Sequence, residues 1–183
     1  IRDSYRVLRL YAASSYAVDA EDVYNLQALA EYMGGGETAK LYKKLVLQKK
    51  KALAVSADYN PVSRSYGQFS VSAVPASGVS PEELLAEIDA GWKEALAELN
   101  IDELEQVKQK MLSGLVYLRD NPEDAAYIAG SMAVIGADLS EIEDIEQKIK
   151  SVQYVDVRKA AEKMTVHAPQ VTGILRPKGE HDA

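Results

Sequence analysis

Few groups in this chain of 183 residues are of a type that does chemistry, and their spacing favours none of the common reactions. The two histidines, His167 and His181, stand outside any His-x-x-Glu-His or His-Glu-x-x-His pattern, so the paired imidazoles by which a helix grips zinc are missing. His167 precedes Ala168-Pro169 and reads as a loop or surface residue, and His181 belongs to the tail. Without cysteine there is no thiolate ligand, no thiol nucleophile and no disulfide. Ser14, Ser15 and Ser56 have no recognisable base partner, which argues against a serine hydrolase. Acidic pairs such as Glu82 with Glu83, Asp102 with Glu105, and Glu143 with Asp144 fall where helices should begin, and they serve caps and helix dipoles. Gly34-Gly35-Gly36 follows a helix rather than a strand and lacks the lysine-plus-Ser/Thr ending of a phosphate loop. A helix-to-helix turn is expected there. Lys40, Lys43, Lys44, Lys49, Lys50 and Lys51 form a basic run that reads as solvated helix surface. A net charge of −7 and a pI near 5.0 argue against nucleic acid, whose phosphates demand a basic surface.

The elements that carry these residues follow from periodicity. Arg6 to Ser14 alternates as a strand with both faces partly apolar. Asp19 is placed to cap a helix bearing Val23, Leu26, Ala30 and Met33, and the glycines give it a left-handed exit. Thr38 is placed to cap a second helix with Leu41, Tyr42 and Leu45. Two strands follow, one with Leu53, Val55, Ala57 and Tyr59 on one side, the other with Phe69, Val71 and Ala73, and Ser77-Gly78 turns the chain into its second half. Ser80-Pro81-Glu82-Glu83 opens a helix with Leu84, Leu85, Ile88, Trp92 and Leu96 along one side. Asp102 with Glu105 opens the next, and Asn121 caps a segment, Ala125 to Gly136, whose small residues permit close approach to a neighbour. Ser140 with Glu143 repeats the capping pair before Ile142, Ile145 and Ile149. Val157, Ala160, Ala161 and Met164 mark a last helix, and Gln170 to Leu175 a last strand. The order predicts an α+β fold with helices packed on one face of a largely antiparallel sheet, in one domain spanning 1–183. Because Ile1 opens next to a strand-like run, the chain is expected to be a fragment of a longer protein.

Several of these segments together resemble the second domain of pitrilysin (insulinase-like) zinc peptidases of the bacterial processing-protease type. Met33 to Val46, MGGGETAKLYKKLV, is similar to the family's LGGG-x-(S/T)-(S/G)-R-L-Y-x-x-L-V segment. Arg9 to Tyr16 resembles the strand opening that domain, and Ala54 to Tyr59 with Gly67 to Val71 its central hairpin. Ile101 to Lys108 resembles the (V/I)-(T/S)-x-x-E-L-x-x-A-K helix start, and Val171 to Pro177 the closing strand. The likeness runs in order through nearly the whole chain.

The resemblance implies a noncatalytic, substrate-enclosing domain. In the family the first domain carries His-x-x-Glu-His and the zinc, and the second closes over the peptide. This chain is therefore expected to hold no cofactor of its own and no catalytic or metal-binding residue. Zinc is expected in an N-terminal domain of the same protein, which is its partner along with the peptide substrate. Some members add an arginine and a tyrosine from the second domain. The matching positions here are Val46 and Leu53, neither of which donates a hydrogen bond, as in two-subunit bacterial members where a second homologous chain supplies the pair. Lys49 and Lys50, within a helical turn of Val46, are the substrate-binding candidates. The resemblance further implies the bacterial periplasm or cell envelope. The alternative is a structural or assembly subunit of the same fold without proteolytic activity.

Overall fold

A computed structural model describes residues 5–137 and 140–176. The chain starts with strand β1 (Arg6–Ala13), a 3-10 turn (Ala20–Asp22) and helix α1 (Val23–Gly34). A π-helical segment (Tyr42–Gln48) then leads into the hairpin of β2 (Ala52–Asn60) and β3 (Gly67–Pro75). Helices α2 (Pro81–Glu98), α3 (Ile101–Asp120), α4 (Pro122–Ile135), α5 (Ser140–Glu143), α6 (Ile145–Ser151) and α7 (Tyr154–Glu162) follow. A π-helical turn (Lys163–His167) returns the chain to β4 (Gln170–Leu175). The strands form one sheet in the order β2-β3-β1-β4, every neighbouring pair antiparallel. The α+β class read from the sequence is the class observed.

One face of the sheet carries the core. Val7 and Tyr11 of β1, Phe69, Val71 and Ala73 of β3, and Val55 and Ala57 of β2 are buried, whereas the intervening Leu8, Leu10, Ser70 and Ser72 are only partly covered. Trp92 of α2 locks the helices to this face, edge-on to Phe69 at 5.7 Å between ring centroids and stacked on Tyr11 at 6.4 Å. Full burial of side chains such as Phe69, Leu84 and Leu41 stabilises the fold by about 1.5–3 kcal/mol each.

Several local expectations hold. The Ser80 hydroxyl accepts from the Glu83 amide at 3.1 Å, the Asn121 side chain accepts from the Glu123 amide at 3.1 Å, and Gly78 is left-handed (φ 80°). Others are corrected. Asp19 is itself left-handed (φ 62°) and caps nothing; its carboxylate pairs with Lys163, so α1 starts later, after the 3-10 turn. Helical structure after the glycines opens at Lys40 with Thr38 left in the preceding turn. Asn100, not Asp102, caps α3, accepting from the Glu103 amide at 3.1 Å and leaving Asp102 in the first turn near the positive end of the helix dipole. The register of β2 slips between Ala52 and Ala54, so Ala52 goes inward and Leu53, 62% exposed, goes out. The Ser140–Glu143 stretch is a separate turn of helix, α5, and the Ser140 side chain lies outside the described residues. The small residues of α4 bring no neighbour close, since a Cβ at Gly130 would meet nothing within 4 Å. The apolar residues of α4 surround the helix instead of forming a stripe, and only Met132 is buried.

Candidate functional site

The triple glycine is where the sheet edge and the helices meet, and each residue has a separate cause. A Cβ on Gly34 would lie 1.9 Å from the Ala57 nitrogen, so α1 crosses the backbone of β2 only because that position has no side chain. A Cβ on Gly35 would strike Glu31, and Gly36 is left-handed (φ 109°). The run is thus a close crossing and a turn, as a helix-to-helix connection requires.

Beyond this crossing, β2 ends the sheet, and its outward amide and carbonyl groups have no strand partner among the described residues. A cleft of about 870 Å³ opens beside it, walled by Ala57 and Tyr59 of β2, Met111 of α3, Ile128 and Met132 of α4, and Ile145 of α6. Its polar groups are engaged. Lys110 pairs with Glu31 and donates to the Gly35 carbonyl. The Tyr59 hydroxyl donates to the Ser14 carbonyl at 2.6 Å. Burial first, then the negative charges nearby, pushes the Tyr59 phenol up, so it stays a donor.

At the other end of β2 lie the lysines. Their reading as solvated surface is corrected for most of the run: Lys44 reaches Glu98 at 2.7 Å and Glu94 at 3.2 Å, Lys49 reaches Glu87 at 2.9 Å, Lys51 reaches Glu83 at 2.7 Å, and Lys40 pairs with Glu98 and Glu103. Glu83, Glu87, Glu94 and Glu98 recur at spacings of about four and seven, which places them on one face of α2. Lys44 buries its stem and extends its ammonium to carboxylates about half exposed. The hydrogen bond with Glu98, ahead of the one with Glu94, raises the Lys44 pKa, and Lys44 in turn holds both carboxyls below their ordinary range. Of the two substrate-binding candidates, Lys49 is therefore held by α2. Lys50 is exposed, left-handed (φ 52°) and pairs with no described residue. Val46 is packed against the core, and Leu53 stands exposed at the start of β2, as does Leu47 in the preceding π-helical segment.

The remaining candidates do not assemble a reaction centre. His167 is exposed at the end of the π-helical turn, and His181 lies outside the described residues. Ser15 uses its hydroxyl to tie two loops together, donating to the Ser65 carbonyl of the β2–β3 connection at 2.5 Å and accepting from the Val18 amide at 3.0 Å. Ser56 donates to Asp58. Among the described residues, no group of three His, Cys, Asp or Glu side chains is placed to hold a metal ion, so these residues do not fit a zinc centre. The cleft and the ion-pair ladder escaped the sequence reading. The spacing of the α2 glutamates was the one visible signal for the ladder, and the cleft left none.

Among known proteins, the chain matches the model of the peptidase M16 inactive domain over residues 8–111. A protease from Helicobacter pylori is 20% identical and superposes with a TM-score of 0.84 over 97% of this chain and 42% of its own. This chain thus spans about two fifths of that protein. The inactive peptidase domain of an assigned zinc protease from Bordetella parapertussis is 18% identical, with a TM-score of 0.85 over 99% of this chain and 95% of its own. The periplasmic protease PqqL from Escherichia coli is 18% identical, with a TM-score of 0.71 over 97% of this chain and 20% of its own. No curated protein matches the chain. No helix among the described residues is long and apolar enough to cross a membrane.

Proposed function

The chain belongs to the peptidase M16 family as an inactive domain, and from that premise we propose that it forms a wall of a peptide chamber whose zinc-bearing half is an N-terminal domain of the same protein. The free edge of β2 beside a largely apolar cleft is the observation that supports this reading most. An extended peptide adds to such an edge through its backbone, so affinity does not depend on one sequence. The edge then holds the peptide in line for chemistry performed elsewhere, which is a contribution of orientation and shelter from water. No step of that chemistry runs through residues of this chain.

The coverage of the Helicobacter pylori protease supports placing this chain as the second domain of a longer protein. With Val46 and Leu53 unable to donate a hydrogen bond, a second homologous subunit supplies the arginine and tyrosine that hold the scissile carbonyl. The likeness to PqqL supports a periplasmic or cell-envelope setting. Lys49 and Lys50 flank the entrance to β2, and Lys50, with no carboxylate partner among the described residues, offers its charge to an acidic residue of the peptide. Lys50→Ala should weaken binding of a peptide with an acidic residue at one end by about threefold to fivefold, in the range of an exposed ion pair, and leave a neutral peptide unaffected.

Photocrosslinking checks the assignment. A peptide carrying benzophenone along its length should label residues 53–62 and 34–36 and should remain intact with zinc added. Labelling confined to other surfaces, or zinc-dependent cleavage by the chain alone, would defeat it.

A further inference from the structure

The cleft is larger than strand addition needs, and its chemistry selects what enters. We propose that it is a side-chain pocket that takes a bulky apolar side chain, aliphatic or aromatic, from the peptide strand on β2; the inference rests on the strand-addition reading above. Successive side chains of an added strand point to opposite faces of the sheet. Ala57 and Tyr59 direct their side chains to the helix-covered face and also wall the cleft, so every second residue of the peptide faces into it. A volume of about 870 Å³ lies within the range of pockets that enclose whole small molecules, and it accommodates the largest natural side chain. Met111 and Met132 in the walls adapt to branched or aromatic shapes alike.

The lining is mainly apolar, and the groups that could meet an acidic occupant are already engaged. Lys110 is paired with Glu31 and the Gly35 carbonyl, and the Tyr59 hydroxyl with the Ser14 carbonyl. A glutamate side chain placed there would lose its water and face the carboxylates of Glu31 and Asp58, with Lys110 already paired to Glu31. The free edge and the cleft share Ala57 and Tyr59, so one extended segment satisfies both. A second copy of this chain, at a net charge of −7, would approach against its own repulsion.

Gly114 gives a test that leaves the fold intact. It lines the cleft on α3, an added Cβ there meets nothing within 4 Å, and leucine is the better helix former. Fluorescence anisotropy with extended peptides identical except for one central Ser, Glu, Leu or Phe should show Leu and Phe bound about tenfold or more tightly than Ser and Glu. Gly114→Leu should reduce that preference to within about twofold while the Ser peptide binds as before. Equal binding of all four peptides would overturn the pocket and leave strand addition standing. Failure of every peptide to bind would overturn both. A preference retained in Gly114→Leu would place selection elsewhere. Self-association abolished by Gly114→Leu, without peptide selectivity, would make the cleft a contact between copies and end the proposal.

Discussion

Gly34 is the residue on which the edge of the sheet depends, because α1 reaches β2 only through its missing side chain. Gly34→Ala forces a Cβ onto the backbone of Ala57, where no rotamer change relieves it. It should lower the stability measured by chemical denaturation by about 3 kcal/mol, the upper range for overpacking. The sequence showed a turn at these glycines but not the crossing, since close approach between distant segments leaves no local pattern. Lys44 teaches the complementary lesson. A lysine run looks solvated until a second helix with carboxylates in register is brought beside it. Glu94 and Glu98 have folded pKa values below their ordinary 4.5, so their pairing stabilises the fold above that pH and is lost as pH falls through the folded values. Lys44 is raised above 10.5, so its contribution is complete below that pH and fades as pH rises through the raised value. Thermal unfolding from pH 6 to pH 3 should therefore show a larger loss of stability in the wild type than in Lys44→Met. Parallel acid limbs would mean that the Lys44 pairs contribute nothing.

Among the helices longer than ten residues, α4 has the lightest hold on the core. Met132 is its one buried residue, and from the β2–β3 connection the Arg64 guanidinium donates from Nε at 3.1 Å and Nη2 at 2.8 Å to the Val134 carbonyl near the end of the helix. A charged donor of this kind contributes about 1.5–3 kcal/mol, so Arg64→Ala should accelerate amide exchange across α4 by about tenfold and leave β1 and β3 unchanged. Unaltered exchange in α4 would show that packing alone holds it. Much at this scale was legible beforehand. Phe69, Val71 and Ala73 alternate with serines and form an inward face, and Ser80-Pro81 and Asn121-Pro122 start helices where their capping chemistry requires. Leu53 was not legible, because a period of two carries no mark of a bulge. The placement of α4 was not legible either, since apolar residues on every side of a helix do not say which side is covered.

For the whole molecule, chain order was the strongest signal. Strand, two helical segments, hairpin, helices and a closing strand give an antiparallel sheet with helices on one face, and the M16 inactive-domain match spans the first half of that order and beyond. What the order could not show was which strands end the sheet, because that depends on β4 pairing with β1 across the length of the chain and leaving β2 and β4 outermost among the described residues. The proposed function rests on the edge at β2. Hydrogen exchange of the chain with and without an extended peptide tests this most directly. Amides of β2 between Leu53 and Tyr59 should gain protection while the peptide stays uncleaved in the presence of zinc. Unchanged protection along β2, or a cleaved peptide, would contradict a domain that holds substrate without acting on it.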